Sequence, residues 1–230
     1  VLREVVQRSQ ISFEQVDDII MGCVTQINEQ GFNVGRQAAL LAGFPIEVPA
    51  VTINLVCGSS QQAIHFAAQA VMSGFQDVVI AAGVENMSRV PIGSDMGPFH
   101  PQLGRRFSLT TQGIAAENIA KKYNLTRDEL DRFAYNSHVK ARRARDEGRF
   151  DREIVPVTTP QGQLVTCDEG IREEEELQRM STLQPSFKED GVLTAGNSSQ
   201  ISDGAAAVQS QVAVALQLSR LVALVAVTVQ

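Results

Sequence analysis

An α/β layer fold is predicted by two observations. Short apolar runs at Ile19–Thr25, Val48–Val56 and Asp77–Ala82 alternate with helix-like stretches at Asn33–Ala42 and Gln61–Ser73, and each of those stretches meets a glycine at its end, Gly43 or Gly74. The run Asp77–Ala82 is continuously apolar, as suits a strand covered on both faces. Strand, helix, strand, helix, strand is the rhythm of a layered α/β core. Hydrophobic residues make up 43% of the 230, aromatics only 5%, and tryptophan is absent, so the core must be aliphatic and alanine-rich. The length suits one large or two modest domains.

The elements follow in order. The text from Val1 already reads as a helix, so the natural N-terminus is expected upstream. Ile11–Val16 reads as a short helix start, with Ser12 and Gln15 as a capping box and Ile11 and Val16 as a hydrophobic staple. The first strand is expected over Ile19–Thr25. The helix over Asn33–Ala42 stops at Gly43, with Pro45 beyond. Val48–Val56 is the second strand. Gln61–Ser73 sets Ala63, Ile64, Ala67, Ala68 and Val71 on one face, with Gly74 as its C-cap. Residues 88–110 hold three glycines and three prolines without a period, an irregular excursion of the kind that is often functional. Gly113–Tyr123 reads as a helix. Thr126 and Glu129 form a second capping box, for a helix running to about Glu147 with Gly148 just past it. Glu153–Thr159 resembles a strand. Glu173–Glu176 reads as a solvated acidic face, and Asp203–Val208 returns to strand-like text. Gln209–Gln230 lacks Gly, Pro, Asp and Glu and reads as an altered terminus to which no function is assigned. Its apolar part, Val212–Val229, is interrupted by Gln217, Ser219 and Arg220, which argues against a membrane span.

Charge and cysteine usage exclude several classes. A net charge of −6 argues against a general nucleic-acid-binding surface. Three widely spaced cysteines form neither a disulfide framework nor a zinc pattern, which fits a reducing compartment, and a cytoplasmic location is expected. His65, His100 and His138 are not spaced as metal ligands.

Cys57 is the residue with the clearest chemistry. It follows the apolar, β-branched run Val51-Thr52-Ile53-Asn54-Leu55-Val56 and precedes Gly58-Ser59-Ser60, at a strand-to-helix junction. Free backbone N–H groups and aligned peptide dipoles at a helix start favour negative charge, hence the nucleophilic thiolate. The same N–H groups suit an oxyanion. The alternative is a lone cysteine acting as a small buried hydrophobe. Cys23, inside a strand-like run, and Cys167, in polar loop-like text, lack this context and read as structural or incidental.

Asn54-Leu55-Val56-Cys57-Gly58-Ser59-Ser60, taken with Gly83-Val84-Glu85-Asn86-Met87-Ser88, resembles the thiolases, the acetyl-CoA acetyltransferases and 3-ketoacyl-CoA thiolases. Gly148-Arg149-Phe150-Asp151 with Glu153-Ile154-Val155-Pro156 is similar to a second family segment. Thr194-Ala195-Gly196-Asn197-Ser198-Ser199 with Ser202-Asp203-Gly204-Ala205-Ala206 is similar to another. The resemblance covers about residues 1–208 and is closest in style to the 3-ketoacyl-CoA thiolase branch.

The resemblance implies a thiolase-like layered αβαβα core, of which this chain is the first half, with an inserted α+β loop domain. Residues 1–87 would be core lacking its first strand, 88–190 the loop domain, 191–208 the return to the core and 209–230 an uncertain tail. It implies that Cys57 is the nucleophile that carries the acyl group as a thioester. It aligns Arg172 with a basic residue near the nucleotide end of coenzyme A, Ser199 and the backbone at Ala195 with contacts to the pantetheine arm, and Phe187 with a pocket wall. For Arg172 the alternative is a surface charge, and for Ser199 a simple turn. Some members carry His-Met where this chain has Thr111-Gln112, which leaves the acyl-chain preference open.

The implied enzyme is an acyltransferase of fatty acid metabolism, with β-oxidation the degradative case. Coenzyme A or acyl-CoA is its substrate, no separate cofactor or metal is implied, and the full-length protein is expected to be a homodimer or homotetramer without nucleic-acid or membrane partners. The Asn-Glu-Ala-Phe segment, the Gly-His-Pro histidine and the second Cys before Gly that thiolases carry in their second half do not occur here. Two other readings stand beside this one. One is a decarboxylating ketosynthase-like condensing enzyme, disfavoured by Glu85-Asn86-Met87-Ser88 and the long insert. The other is an inactive fragment that binds acyl-CoA.

Overall fold

The computed structural model describes residues 1–159, 161–212 and 219–229. The chain forms two compact units. The first takes Val1–Asp95, Arg152–Asp168 and Ile201–Gln230; the second takes Met96–Asp151 and Glu169–Gln200.

The first unit is built on a mixed sheet. Its helices are α1 (Leu2–Ser9), α2 (Val34–Ala42) and α3 (Ser59–Met72), and its strands are β1 (Asp18–Gly22), β2 (Ala50–Ile53) and β3 (Val78–Asn86). β1 pairs in parallel with β2 on one side and β3 on the other. Beyond the second unit, β6 (Asp203–Val212) lies antiparallel to β3 along its whole length, and β7 (Ser219–Val229) lies antiparallel to β6. The order is β2-β1-β3-β6-β7.

Alternation along the strands sorts the core into two layers. Ile19, Met21, Ile80 and Ala82 pack with Leu2, Val5 and Val6 of α1 and Ala39 of α2. Ile20, Val79 and Ala81 point the other way, against Ala63, Ala67 and Val71 of α3. The sheet is therefore covered on both faces, which explains why its strands read as continuous apolar text. Ala63 and Ala67 are fully buried, and their small side chains let α3 approach the sheet closely.

The local signals explain the element ends. Gln15 Oε1 accepts the Ser12 N–H at 2.8 Å, and the turn that forms there is a single 3-10 turn, Phe13–Gln15. The Asn33 side chain accepts the Arg36 N–H at the start of α2, and Gly43 closes that helix at φ +97°. β1 is shorter than the apolar run Ile19–Thr25: it ends at Gly22, and Gln30 and Glu85 draw residues 24–30 into a separate loop.

The second unit is helical. It contains α4 (Pro101–Arg106), α5 (Gln112–Tyr123), α6 (Arg127–Asp146) and α7 (Glu174–Leu177). α4 is a six-residue helix inside the stretch expected to be irregular, with His100 as its N-cap and Pro101 in its first turn. It is too short to show a period. The Thr126–Glu129 capping box opens α6, with the Thr126 N–H donating to Glu129 Oε2 at 2.8 Å. The segment Glu153–Thr159 forms only the short strand β4 (Val157–Thr158), which pairs with β5 (Leu164–Val165) and belongs to the first unit.

The acidic run is not simply solvated. Glu174 takes the Tyr135 hydroxyl at 2.6 Å and Arg142 at 2.7 Å, and Glu173 takes Arg145 at 2.9 Å. Arg142 and Arg145 are three apart on α6 and present their guanidinium groups on one side. Tyr135 and Arg142 hold the Glu174 carboxyl below its ordinary range. The side chains of Glu175 and Glu176 lie outside the described residues.

The expectation for the tail divides. Gln209–Val212 continues β6, and Ser219–Val229 forms β7; Gln217 lies outside the described residues. No helix among the described residues is long and apolar enough to cross a membrane.

Candidate active site

Cys57 does not follow a strand directly. β2 ends at Ile53, and Asn54–Gly58 form a tight loop before α3 begins at Ser59. Val56 sits in this loop at φ +48°. A β-branched residue rarely adopts that conformation, and holding it costs on the order of 1–3 kcal/mol. The loop is closed by its own polar groups. Asn54 Oδ1 accepts the Val56 N–H at 2.8 Å, and Ser59 Oγ accepts the Leu55 N–H at 2.8 Å and donates to the Val56 carbonyl at 2.6 Å. The Gly58 N–H donates to the Leu55 carbonyl and the Ser59 N–H to the Val56 carbonyl. Those two N–H groups are thus committed inside the loop, so an oxyanion would need other donors. The Cys57 thiol is exposed, one residue before the Gly58 N-cap of α3.

Two glycines let α3 start where it does. Gly22 ends β1 and pairs in register with Gly83 of β3. A Cβ on Gly22 would lie 2.4 Å from Ser60 N and 2.5 Å from the Ser59 carbonyl carbon; one on Gly83 would lie 1.9 Å from Ser60 Oγ. The first turn of α3 therefore rests directly on a bare patch of sheet. The sequence carried a signal for this, since a glycine inside a strand marks a close backbone approach.

The other two cysteines sit in different settings. Cys23 is buried, and burial together with the Glu85 carboxylate pushes its thiol up to about 12. Cys167 is exposed in the loop after β5. Limited iodoacetamide labelling of the folded chain, read by peptide mass spectrometry, should modify Cys57 first and Cys23 last. Faster labelling of either other cysteine would remove Cys57 as the candidate nucleophile.

The four residues aligned with coenzyme A contacts belong to the second unit. The ring of Phe187 lies over Gly113 of α5, where an added Cβ would meet it at 2.2 Å. Gly113 directly follows Thr111-Gln112 in the chain. Pro185 bridges antiparallel to Thr194, and the Ser186 N–H donates to the Leu193 carbonyl at 2.8 Å, so the segments carrying Phe187 and Ala195 run side by side. Glu117 of α5 ties this pair down by accepting the Val192 and Leu193 N–H groups. Ala195 and Ser199 are exposed on either side of a turn that Asn197 anchors to Asp131 at 2.8 Å. Arg172 is exposed elsewhere in the unit, its backbone N–H donating to His138 Nδ1 at 3.2 Å. Among the described residues no group of His, Cys, Asp and Glu is arranged to hold a metal ion.

Residues 1–209 match the family model "Thiolase, N-terminal domain". The chain belongs to the thiolase family. It is 40% identical over 223 residues to a probable acetyl-CoA acyltransferase of Staphylococcus aureus, an alignment covering 89% of this chain and 56% of that protein. It is 41% identical over 220 residues to a β-ketoadipyl-CoA thiolase of Acinetobacter baylyi, covering 86% of this chain and 55% of that one. This thiolase chain spans about half the length of the curated relatives it matches.

Proposed function

We propose that this chain carries the acyl-accepting half of a thiolase, with Cys57 as the nucleophile. The observation that carries the reading is the exposed Cys57 thiol between the left-handed Val56 and the first turn of α3, in a chain of this family. In the degradative direction the Cys57 sulfur attacks the 3-keto carbonyl of a 3-ketoacyl-CoA. The bond between C2 and C3 breaks, the released carbanion is protonated to give acetyl-CoA, and the acyl group stays on sulfur. The thiol of coenzyme A then attacks that thioester, the bond from the acyl carbon to Cys57 sulfur breaks, the proton lost by coenzyme A restores the Cys57 thiol, and the shortened acyl-CoA leaves. In the synthetic direction the same thioester accepts a second acyl-CoA unit.

Substrate binding follows the family pattern in this proposal. Arg172 serves the nucleotide end of coenzyme A, Ala195 and Ser199 the pantetheine arm, and Phe187 a pocket wall. The division into core over 1–87, loop domain over 88–190 and return to core over 191–208 belongs to the same reading, as does assembly into a homodimer or homotetramer. β2 is an edge strand, and Val51 on it and Leu55 and Val56 in the loop that follows are exposed, a surface that a second copy would cover.

Incubation with acetyl-CoA followed by peptide mass spectrometry tests the central claim. One acetyl group should appear on Cys57 and be absent from Cys57→Ser; an adduct on Cys167, or none, would sink it. Arg172→Ala should weaken coenzyme A binding by roughly 1–3 kcal/mol in calorimetry, the worth of a charged hydrogen bond. Unchanged binding would make Arg172 a surface charge.

A further inference from the structure

The loop that presents Cys57 is not held by local contacts alone. Asn54 Oδ1 accepts the Val56 N–H at 2.8 Å, while Asn54 Nδ2 donates to the Val24 carbonyl at 2.9 Å. Val24 lies just beyond β1, in a segment with its own anchor. The Val24 N–H donates to Glu85 Oε2 at 2.8 Å and the Thr25 N–H to Glu85 Oε1 at 3.2 Å. Gln30 Nε2 donates to Glu85 Oε1 at 2.8 Å and to the Thr25 carbonyl at 2.9 Å, and Gln30 Oε1 accepts the Asn86 N–H at 2.5 Å. Thr25 and Gln30 are buried. One series of contacts therefore runs from Glu85 on β3 to the Val24 N–H, across the Val24 backbone to its carbonyl, and from there to Asn54 and on to Val56, next to Cys57.

This series has a physical task. Val56 at φ +48° is a strained conformation for a β-branched residue, and it persists only if the surroundings over-determine it. Asn54 takes the one N–H that a relaxed Val56 would turn elsewhere. Its second contact, to Val24, prevents the amide from swinging away with the loop.

We propose that Asn54 and Glu85 are positioning residues for the acyl-transfer step: together they hold Val56 in the left-handed conformation from which the Cys57 thiol is presented. The inference rests on the reading of Cys57 as acyl acceptor. Neither side chain exchanges a proton or touches the acyl group in it. They act through the peptide that precedes the nucleophile.

The test measures Cys57 and Cys167 in one molecule, as alkylation by iodoacetamide and acylation by acetyl-CoA. In Asn54→Ala the Cys57 rate should fall by about tenfold, the scale set by losing one or two hydrogen bonds, while the Cys167 rate stays constant. Glycine adopts a positive φ without strain, so Val56→Gly in the Asn54→Ala background should restore the rate to within about threefold of the parent. An unchanged Cys57 rate in Asn54→Ala overturns the inference, as does a double variant as slow as the single one, since a merely structural role gives no such rescue. Glu85→Gln keeps the shape but turns an amide donor toward the Val24 and Thr25 N–H groups. It should slow Cys57 by about threefold and decides the matter if Asn54→Ala shows no cooperative melting; an unchanged rate there overturns the proposal. A parent Cys57 no faster than Cys167 would overturn the acyl-acceptor reading itself. A fast parent with indifferent variants overturns the positioning role alone.

Discussion

Gly22→Ala should be the most damaging small substitution in the first unit. The added Cβ would lie 2.4 Å from Ser60 N and 2.8 Å from Ser60 Cα, both backbone atoms of the first turn of α3. A flexible side chain could rotate away; a helix backbone cannot move without dragging Ala63 and Ala67 off the sheet. Overpacking of this kind costs about 1–3 kcal/mol and sometimes more, which lowers the melting midpoint of a chain this size by roughly 2–12 °C. The same shift moves the loop that carries Cys57, so its alkylation rate should change as well. Two companions isolate the cause. Gly83→Ala meets the Ser60 hydroxyl at 1.9 Å, which a rotamer change moves away, and Ser60 Cβ at 2.8 Å, which it does not, so it should be destabilising but milder than Gly22→Ala, whose clashes are all with backbone. Gly104→Ala, in α4, meets nothing within 4 Å and should be neutral or slightly stabilising. Thermal melts of the three variants decide this, and a Gly22→Ala midpoint equal to that of Gly104→Ala would show that α3 is not seated on the sheet as described.

Cleavage of acetoacetyl-CoA should be absent from this 230-residue chain even where Cys57 accepts an acetyl group. A Claisen-type exchange needs a nucleophile, a group to take its proton, a second acid or base for the incoming substrate, and oxyanion donors. The chain offers Cys57 for the first role. Its histidines are otherwise engaged or displaced: His65 is exposed about two turns along α3, His100 Nδ1 caps α4, and His138 Nδ1 accepts the Arg172 N–H. Catalytic groups that act as a unit are strongly non-additive, so turnover should lie a factor on the order of 10⁴–10⁶ below that of the chain extended with a second half carrying the Asn-Glu-Ala-Phe, Gly-His-Pro and second-cysteine segments. Acetoacetyl-CoA cleavage by the two proteins, at equal concentration, is the measurement. Comparable rates would mean that the acid and base are in this chain, with His65, His100 and His138 the first residues to replace.

The caps and the apolar alternation were legible in the sequence because they are local. Thr126 with Glu129, Gly43 at the end of α2, and the face Ala63–Ala67–Val71 each depend on residues within a few positions of one another. The alternation of apolar runs and helical stretches predicted a sheet between helical layers, and the residues around Cys57 by themselves resemble those of the thiolases. What the tertiary structure alone decided is non-local. The antiparallel direction of β6 against β3, the bare patch of Gly22 and Gly83 under α3, and the carboxylate of Glu85 reaching Val24 and Thr25 join residues tens of positions apart or more. The same holds for Glu173 and Glu174, whose negative charge reads as a solvated face until α6 brings Arg142 and Arg145 beside it. A residue's propensity is carried in its own neighbourhood, whereas a close approach or a charge pair exists only once two distant segments have packed. The apolar, β-branched run leading to Cys57 therefore marked it as the candidate nucleophile but did not show its loop, because the conformation of Val56 is set by Asn54 and Ser59 within the loop and by Val24 from outside it.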